Sequence, residues 1–222
     1  QRWRCGSYEH GATPLYLDDL PHLFEPAVER ISEMTVTQLD GQNIFTLDNF
    51  LSIDECDSFI KRSEQIGYET ATLSDGRVYE DTRNNDRVII DDKPLAHDLF
   101  LRAKPYLPEQ MEGESITGFN ERFRIYRYQD GQRFKPHGDG SYLNPETLEE
   151  SKLTFMIYLN ESMVGGSTNF YSSISEALSN QPNLEVKPVT GLALVFVHPL
   201  WHEGASVEDG RKYVLRTDVM YN

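Results

Sequence analysis

The sequence predicts a mainly β fold with helices confined to its N-terminal half, an α+β chain around a double-stranded β-helix (jelly-roll) core. Three observations lead there. Short β-type runs separated by Gly, Pro, Asn and Asp fill the chain from Gly118 onward. Two helical patterns precede them. The chain has no internal repeat and no low-complexity tract, and its 11 Phe and 12 Tyr suit pleated packing surfaces.

Taken in order, residues 1 to 40 are a mixed, proline-punctuated extension whose role the sequence does not reveal. "NIFTLDNF" alternates as a strand. "SIDECDSFIKRSEQIG" then predicts a helix, with Ser52 as N-cap, Glu55 three residues on and Gly67 as the stop. Ser74 to Asp86 is a long polar connection, and Arg83, Asn84, Asn85 and the adjoining Arg87 serve as loop polarity or as part of a lid over substrate. "KPLAHDLFLRAKPYLP" has apolar residues at helical spacing and is closed by Pro105 and Pro108. The strands follow as "NERFRIYRYQ", "KLTFMIYLN", "GSTNFYSS", "LEVKPVT", "GLALVFVH" and "RKYVLRTDVMY". A chain of 222 residues with this order predicts a single domain over 1–222, with 118–222 as the functional core.

Composition removes several functions. A net charge of −15 repels phosphate backbones, so no nucleic acid partner is expected. The longest apolar run, Leu192 to Val197, is far short of the ~18 residues that span a bilayer, so no membrane partner is expected either. Cys5 and Cys56 cannot build a disulfide framework and suit a reducing compartment, which makes the cytoplasm the expected location. The sequence starts at Gln1 without a signal-like core, and a removed targeting segment stays open. Oligomeric state is not legible.

The chemistry begins at "RFKPHGDGSY". In a strand, residues i and i+2 share a face, so His137 and Asp139 can offer a nitrogen and a carboxylate oxygen to one point. Alone, the pair reads better as a solvated polar turn. One more histidine would complete the facial triad of two histidines and a carboxylate that suits non-haem Fe(II) and leaves coordination positions open. His198 and His202 both follow the strand "GLALVFV". His198 precedes Pro199 at the strand end, whereas His202 lies ten residues before Lys212, a cation suited to a dicarboxylate cosubstrate. His10, His22 and His97 are expected to be ordinary residues. Trp201 stays unassigned between a substrate mouth and a structural brace.

These residues carry a resemblance. "YRYQDGQRFKPHGD", "GGSTNF", "VKPVTGLALVF" and "HEGASVEDGRKYVLRTD" follow one another as in the Fe(II)/2-oxoglutarate dioxygenases, and the chain most resembles their prolyl 4-hydroxylase branch. The match covers roughly Gly118 to the C-terminus. It implies that His137, Asp139 and His202 bind Fe(II) and that Lys212 pairs with the distal carboxylate of 2-oxoglutarate. Tyr128 would hydrogen-bond the cosubstrate, with Tyr126 as a weaker candidate, and Thr168 or Asn169 could assist. Arg216 and Asp218 depart from the collagen-type pattern. Arg216, on the Lys212 face by period 2, is the reserve cosubstrate cation or a clamp for a substrate carboxylate.

The implied reaction is hydroxylation of an unactivated C–H bond, with O2 as cosubstrate, succinate and CO2 as co-products, and ascorbate in a supporting role. The substrate expected is a prolyl or other residue in a peptide or protein, and the alternative is a free amino acid or small natural product. Halogenases of this kind lack the carboxylate at the Asp139 position, so its presence argues for oxygen insertion, with desaturation and cyclisation left open. A rival of another class is a non-oxidative jelly-roll metal- or sugar-binding protein. Lys212 speaks against that rival, which has no particular use for the cation.

Overall fold

The computed structural model describes residues 33–71 and 81–222. Residues 1–32 and 72–80, and with them Cys5, His10, His22 and most of the predicted Ser74–Asp86 connection, lie outside the described residues.

β1 (Thr35–Asp40) and β2 (Ile44–Asp48) form a hairpin, and β2 is buried almost throughout. α1 (Ile53–Ile66) starts at Ser52 with both halves of a capping box: Ser52 Oγ accepts from Glu55 N–H, and Glu55 accepts from Ser52 N–H. Gly67 closes the helix at φ 91°, a conformation a side chain would resist. β3 (Glu69–Thr70) and β4 (Asp86–Asp91) follow, then α2 (Lys93–Ala103), which a 3-10 turn over Lys104–Tyr106 extends. Pro105 is accommodated inside that turn, so the helical path runs slightly beyond a strict proline stop.

The remaining elements are β5 (Gln110–Met111), β6 (Glu114–Phe119), β7 (Arg122–Tyr128), β8 (Phe134–His137), β9 (Glu150–Tyr158), β10 (Val164–Gly165) and β11 (Thr168–Tyr171). After a short helix, α3 (Ile174–Leu178), come β12 (Leu184–Val186), β13 (Ala193–Val197), β14 (Trp201–Gly204), β15 (Val207–Asp209) and β16 (Lys212–Tyr221).

Among the described residues, ten strands make one large sheet along β1-β2-β13-β9-β16-β7-β4-β3, with β6 on β16 and β5 on β6. Four make a smaller sheet, β12-β11-β14-β8. The strand-rich core is thus not confined to residues after Gly118, because β2 pairs with β13 and β4 with β7. A short N-terminal strand reveals little of this in sequence, since its partner is far along the chain.

Tyr126, Tyr158, Leu194 and Val214 of the large sheet join Phe170 and Val186 of the small one in a single apolar cluster. The other face of the large sheet carries the helices. Phe100 of α2 meets Phe119 with centroids 5.7 Å apart, and Phe119 in turn meets Phe155 at 4.7 Å. Arg102 of α2 grips Glu55 of α1 with two hydrogen bonds of 3.0 and 2.8 Å, so the capping residue also ties the helices together. No helix of the described residues is long and apolar enough to cross a membrane.

Candidate active site

β8 and β14 are neighbours in the small sheet, and their register sets His137 directly opposite His202. Their rings stand 4.3 Å apart between centroids. Asp139 arrives differently from the strand alternation expected for it. β8 ends at His137, and Asp139 lies in the following loop, where its N–H donates to the His198 carbonyl at 2.8 Å. Gly138 makes that turn against the 198–199 backbone, since a Cβ there would stand 3.4 Å from the Pro199 carbonyl oxygen. His137, Asp139 and His202 each offer a ligand atom within 4.8 Å of the others, a group that could hold a metal ion.

The protonation states support such an ion. Nδ1 of His137 lies 2.8 Å from the Lys135 carbonyl, and Nδ1 of His202 lies 2.9 Å from the Leu200 carbonyl. A carbonyl only accepts, so each Nδ1 carries the proton and each Nε2 presents a lone pair. Both Nε2 atoms face the Asp139 carboxylate at 3.7 and 3.6 Å, beyond hydrogen-bonding distance. Burial, with His202 alongside, pushes His137 down to about 3, and burial lowers His202 as well. At neutral pH the site therefore presents three acceptors to one another with no proton between them. A cation resolves that arrangement.

Burial alone would raise Asp139, but Arg216 and the two imidazoles hold its carboxyl well below the usual carboxylate range. Arg216 Nη1 sits 3.0 Å from Oδ1, and Thr154 Oγ donates to Oδ2 at 2.6 Å. Arg216, expected as a reserve cosubstrate cation, is engaged on both arms, since Nη2 also reaches Asp218 at 3.1 Å. His198 belongs to the support rather than to the triad. Its buried ring spans Thr154 Oγ at 3.1 Å and Ser151 Oγ at 2.9 Å, one hydroxyl removed from Asp139.

Lys212 opens β16 opposite Tyr128 of β7. Only 1% of it is exposed, and its Nζ lies 5.3 Å from the Tyr128 ring and 5.4 Å from the Tyr158 ring. No carboxylate pairs with it among the described residues, and burial pushes its pKa down to about 7. Its stem passes Gly166, where φ is +72° and a Cβ would stand 3.2 Å from Lys212 Cδ. The double glycine therefore leaves room for the lysine. Tyr158 donates to Thr168 Oγ at 2.7 Å, and Asn169 donates to Glu203 at 2.9 Å.

A narrow cleft joins these groups, with Tyr126, Tyr128, Met156, Phe196 and Val214 as its apolar walls. Phe134 stacks on His137 with centroids 3.5 Å apart. Arg83, expected as loop polarity, is buried at 5% exposure against Tyr126 and Phe134, at 4.6 and 4.5 Å from the ring centroids. Its sequence signal was slight, an arginine ahead of the Asn-Asn pair. Trp201 is half-buried on β14 beside Tyr171.

Fold and site bring together two neutral imidazoles and one carboxylate that could hold a metal ion, with a buried cation in the same cleft that no carboxylate pairs with among the described residues. Residues 123–217 match the model of the 2OG-Fe(II) oxygenase superfamily. The chain is similar to a probable prolyl 4-hydroxylase of Arabidopsis thaliana, with 30% identity over 74% of this chain and 56% of the relative, so it spans little more than half of that protein's length. Among solved structures, it superposes on a prolyl hydroxylase of Trichoplax adhaerens in complex with a hypoxia inducible factor peptide fragment, at TM-score 0.61 and 15% identity, covering 80% of this chain and 83% of that one. It also superposes on a prolyl-4-hydroxylase of Pseudomonas putida, at TM-score 0.58 and 18% identity, covering 80% and 92%. Residues 123–217 thus resemble the 2OG-Fe(II) oxygenases, and the chain is similar to prolyl 4-hydroxylases in sequence and in fold. Fe(II), 2-oxoglutarate and O2 are the cofactor and cosubstrates that the match to this superfamily implies.

Proposed function

We propose that this protein hydroxylates a prolyl residue in a peptide or protein, in one catalytic domain built on a double-stranded β-helix. The observation that carries the reading is the meeting of His137, Asp139 and His202 around one point, with no proton available between them. The 30% identity to a probable prolyl 4-hydroxylase supports the substrate class. Fe(II) bound there, with 2-oxoglutarate and O2, supplies the oxidising power that inserts one oxygen atom into a C–H bond and yields succinate and CO2.

The chain's own residues set the geometry. His137 and His202 present neutral Nε2 ligands, each ring held by the backbone carbonyl at its other nitrogen. Asp139 gives the anionic ligand, and Arg216 and Thr154 keep it ionised and oriented. Lys212 takes the distal carboxylate of the cosubstrate, and Tyr128 closes the same end of the cleft beside it. The aromatic walls exclude water from the reacting face. The non-oxidative reading is not favoured, since it leaves a buried, unpaired Lys212 without a role.

The test is turnover. Proline-containing peptides incubated with Fe(II), 2-oxoglutarate and O2 are expected to gain hydroxyproline in step with succinate, and His202→Ala is expected to do neither. Succinate formed with no hydroxylated peptide would turn the substrate reading toward free amino acids or small metabolites.

A further inference from the structure

The chain carries a net charge of −15, yet arginines gather behind the aromatic lining of the cleft, with Arg83 packed on the Tyr126 and Phe134 rings. β4, β7 and β16 lie side by side, and their register aligns Arg87 with Tyr126 and Arg124 with Arg216. Arg124 and Tyr126 share a strand face by period 2, so Arg124 lies on the face that lines the cleft. Asp218 answers Arg124 at 3.4 Å and Arg216 at 3.1 Å, and Asp139 takes the other arm of Arg216. Asp139 is thus committed to Arg216 and Asp218 is shared between two guanidiniums, which leaves Arg124 only partly answered.

Arg83 has no such answer. The Arg83 backbone pairs with Phe134, and Asn84 N–H donates to the Arg133 carbonyl, so residues 83–84 are laced to the run that leads into His137. The guanidinium packs on the Tyr126 and Phe134 rings, both of which line the cleft. Its Nε donates to Asn85 Oδ1 at 2.7 Å, while Nη2 is buried without a hydrogen-bond partner. No carboxylate forms an ion pair with Arg83 among the described residues. A desolvated guanidinium without a counter-anion is costly, and an arriving anion would remove that cost.

The local potential agrees. Burial would raise the Tyr126 phenol, but Arg83, Arg216 and Arg124 outweigh it and bring its pKa below the ordinary value. Arg87 is lowered by burial and by the crowding of Arg83 and Arg124. Arg83 and Arg124 both contribute to the positive potential felt at Tyr126.

We propose that Arg83 and Arg124 form a carboxylate-binding corner beside the metal cleft, and that the substrate presents an acidic group to it next to the residue being oxidised. The inference rests on the proposed function only in taking the cleft as the place where substrate binds. Two sources offer the same chemistry: an Asp or Glu side chain in a peptide, or the free carboxylate of a terminal proline. A guanidinium fork recognises either in the same way, with two parallel N–H···O bonds. The cosubstrate is served elsewhere, by Lys212.

The experiment measures equilibrium binding of labelled proline peptides to the protein with Fe(II) and 2-oxoglutarate under anaerobic conditions. One pair differs only by Glu against Gln beside the proline, and a second pair by a free against an amidated C-terminus. The acidic member of at least one pair is expected to bind roughly tenfold or more tightly, and the pair that shows it names the source. Arg83→Gln should erase the difference and leave 2-oxoglutarate affinity unchanged, while Arg83→Lys restores part of it. Should Arg83→Gln fail to fold, the partly exposed Arg124→Gln carries the same expectation. Equal binding within both pairs, or an Arg83→Gln protein impaired in 2-oxoglutarate rather than peptide binding, overturns the corner. Turnover separates the two readings: selective binding without hydroxyproline sinks the prolyl reading alone, and equal binding within both pairs with hydroxyproline formed sinks the corner alone.

Discussion

The two ends of the cleft-facing half of β16 make opposite use of a buried cation. At the start of the strand, Lys212 lies between two tyrosine rings with no anion among the described residues, and its pKa falls to about 7. Four residues on and on the same face, Arg216 holds Asp139 and Asp218 at 3.0 and 3.1 Å, and its pKa rises. Burial acts on both in the same direction, so the partner decides the outcome. A cation already paired is part of the scaffold, whereas one left unpaired in a dry pocket is poised for a ligand's charge. In the function proposed here, Lys212 serves the cosubstrate and Arg216 supports the metal ligand Asp139.

The largest expected effect comes from removing the paired cation. Arg216→Met leaves Asp139 and Asp218 buried with little compensation, and should cost the metal-free protein about 3–5 kcal/mol in chemical denaturation. Added divalent metal should recover part of the loss, because it supplies Asp139 with a replacement charge. Lys212→Met should do the reverse. Stability of the metal-free protein is expected to hold or rise, while 2-oxoglutarate affinity drops by about 2–3 kcal/mol, roughly 30- to 150-fold, in calorimetric titration. A Lys212→Met protein that binds 2-oxoglutarate normally, beside an Arg216→Met protein that does not, would exchange the two roles.

Titration sharpens the same contrast. Lys212 is lowered from its unfolded value near 10.5 to about 7, so above pH 7 the unfolded chain holds a proton the folded chain has lost. Stability of the ligand-free protein attributable to this group should therefore rise from pH 7 toward 10.5 and be flat below 7. Bound cosubstrate should raise Lys212 again, so binding takes up a proton above pH 7 and weakens as pH rises. Calorimetry in buffers of different ionisation heat reads that proton uptake, and Lys212→Met should abolish it. A smaller change is expected at His198: His198→Ala loosens Thr154 behind Asp139 and should weaken metal binding about tenfold, well short of the loss in His202→Ala.

Local chemistry was the legible part of the sequence. The Ser52–Glu55 capping box and Gly67 stop need only neighbouring residues, and α1 obeys them to its ends. The long apolar or alternating runs became β7, β9, β13 and β16 because burial on a sheet imposes their pattern. The His137–Asp139 pair and the spacing from His202 to Lys212 were visible as motifs, and those side chains share one cleft. Long-range pairing was hidden. β14 is short, and it is a strand because distant partners on both sides satisfy its backbone. The position of Asp139 depends on a carbonyl of His198, and nothing around Arg216 or Arg83 in sequence names the carboxylates or rings that surround them in space.

The central claim is that three side chains hold one ferrous ion and that this ion, with Lys212, creates the site for 2-oxoglutarate. Anaerobic calorimetry with Fe(II), followed by 2-oxoglutarate, tests it most directly. One metal per chain is expected, with cosubstrate binding that requires the metal and is lost in His137→Ala and His202→Ala. Full metal and cosubstrate binding by either alanine variant would contradict the account.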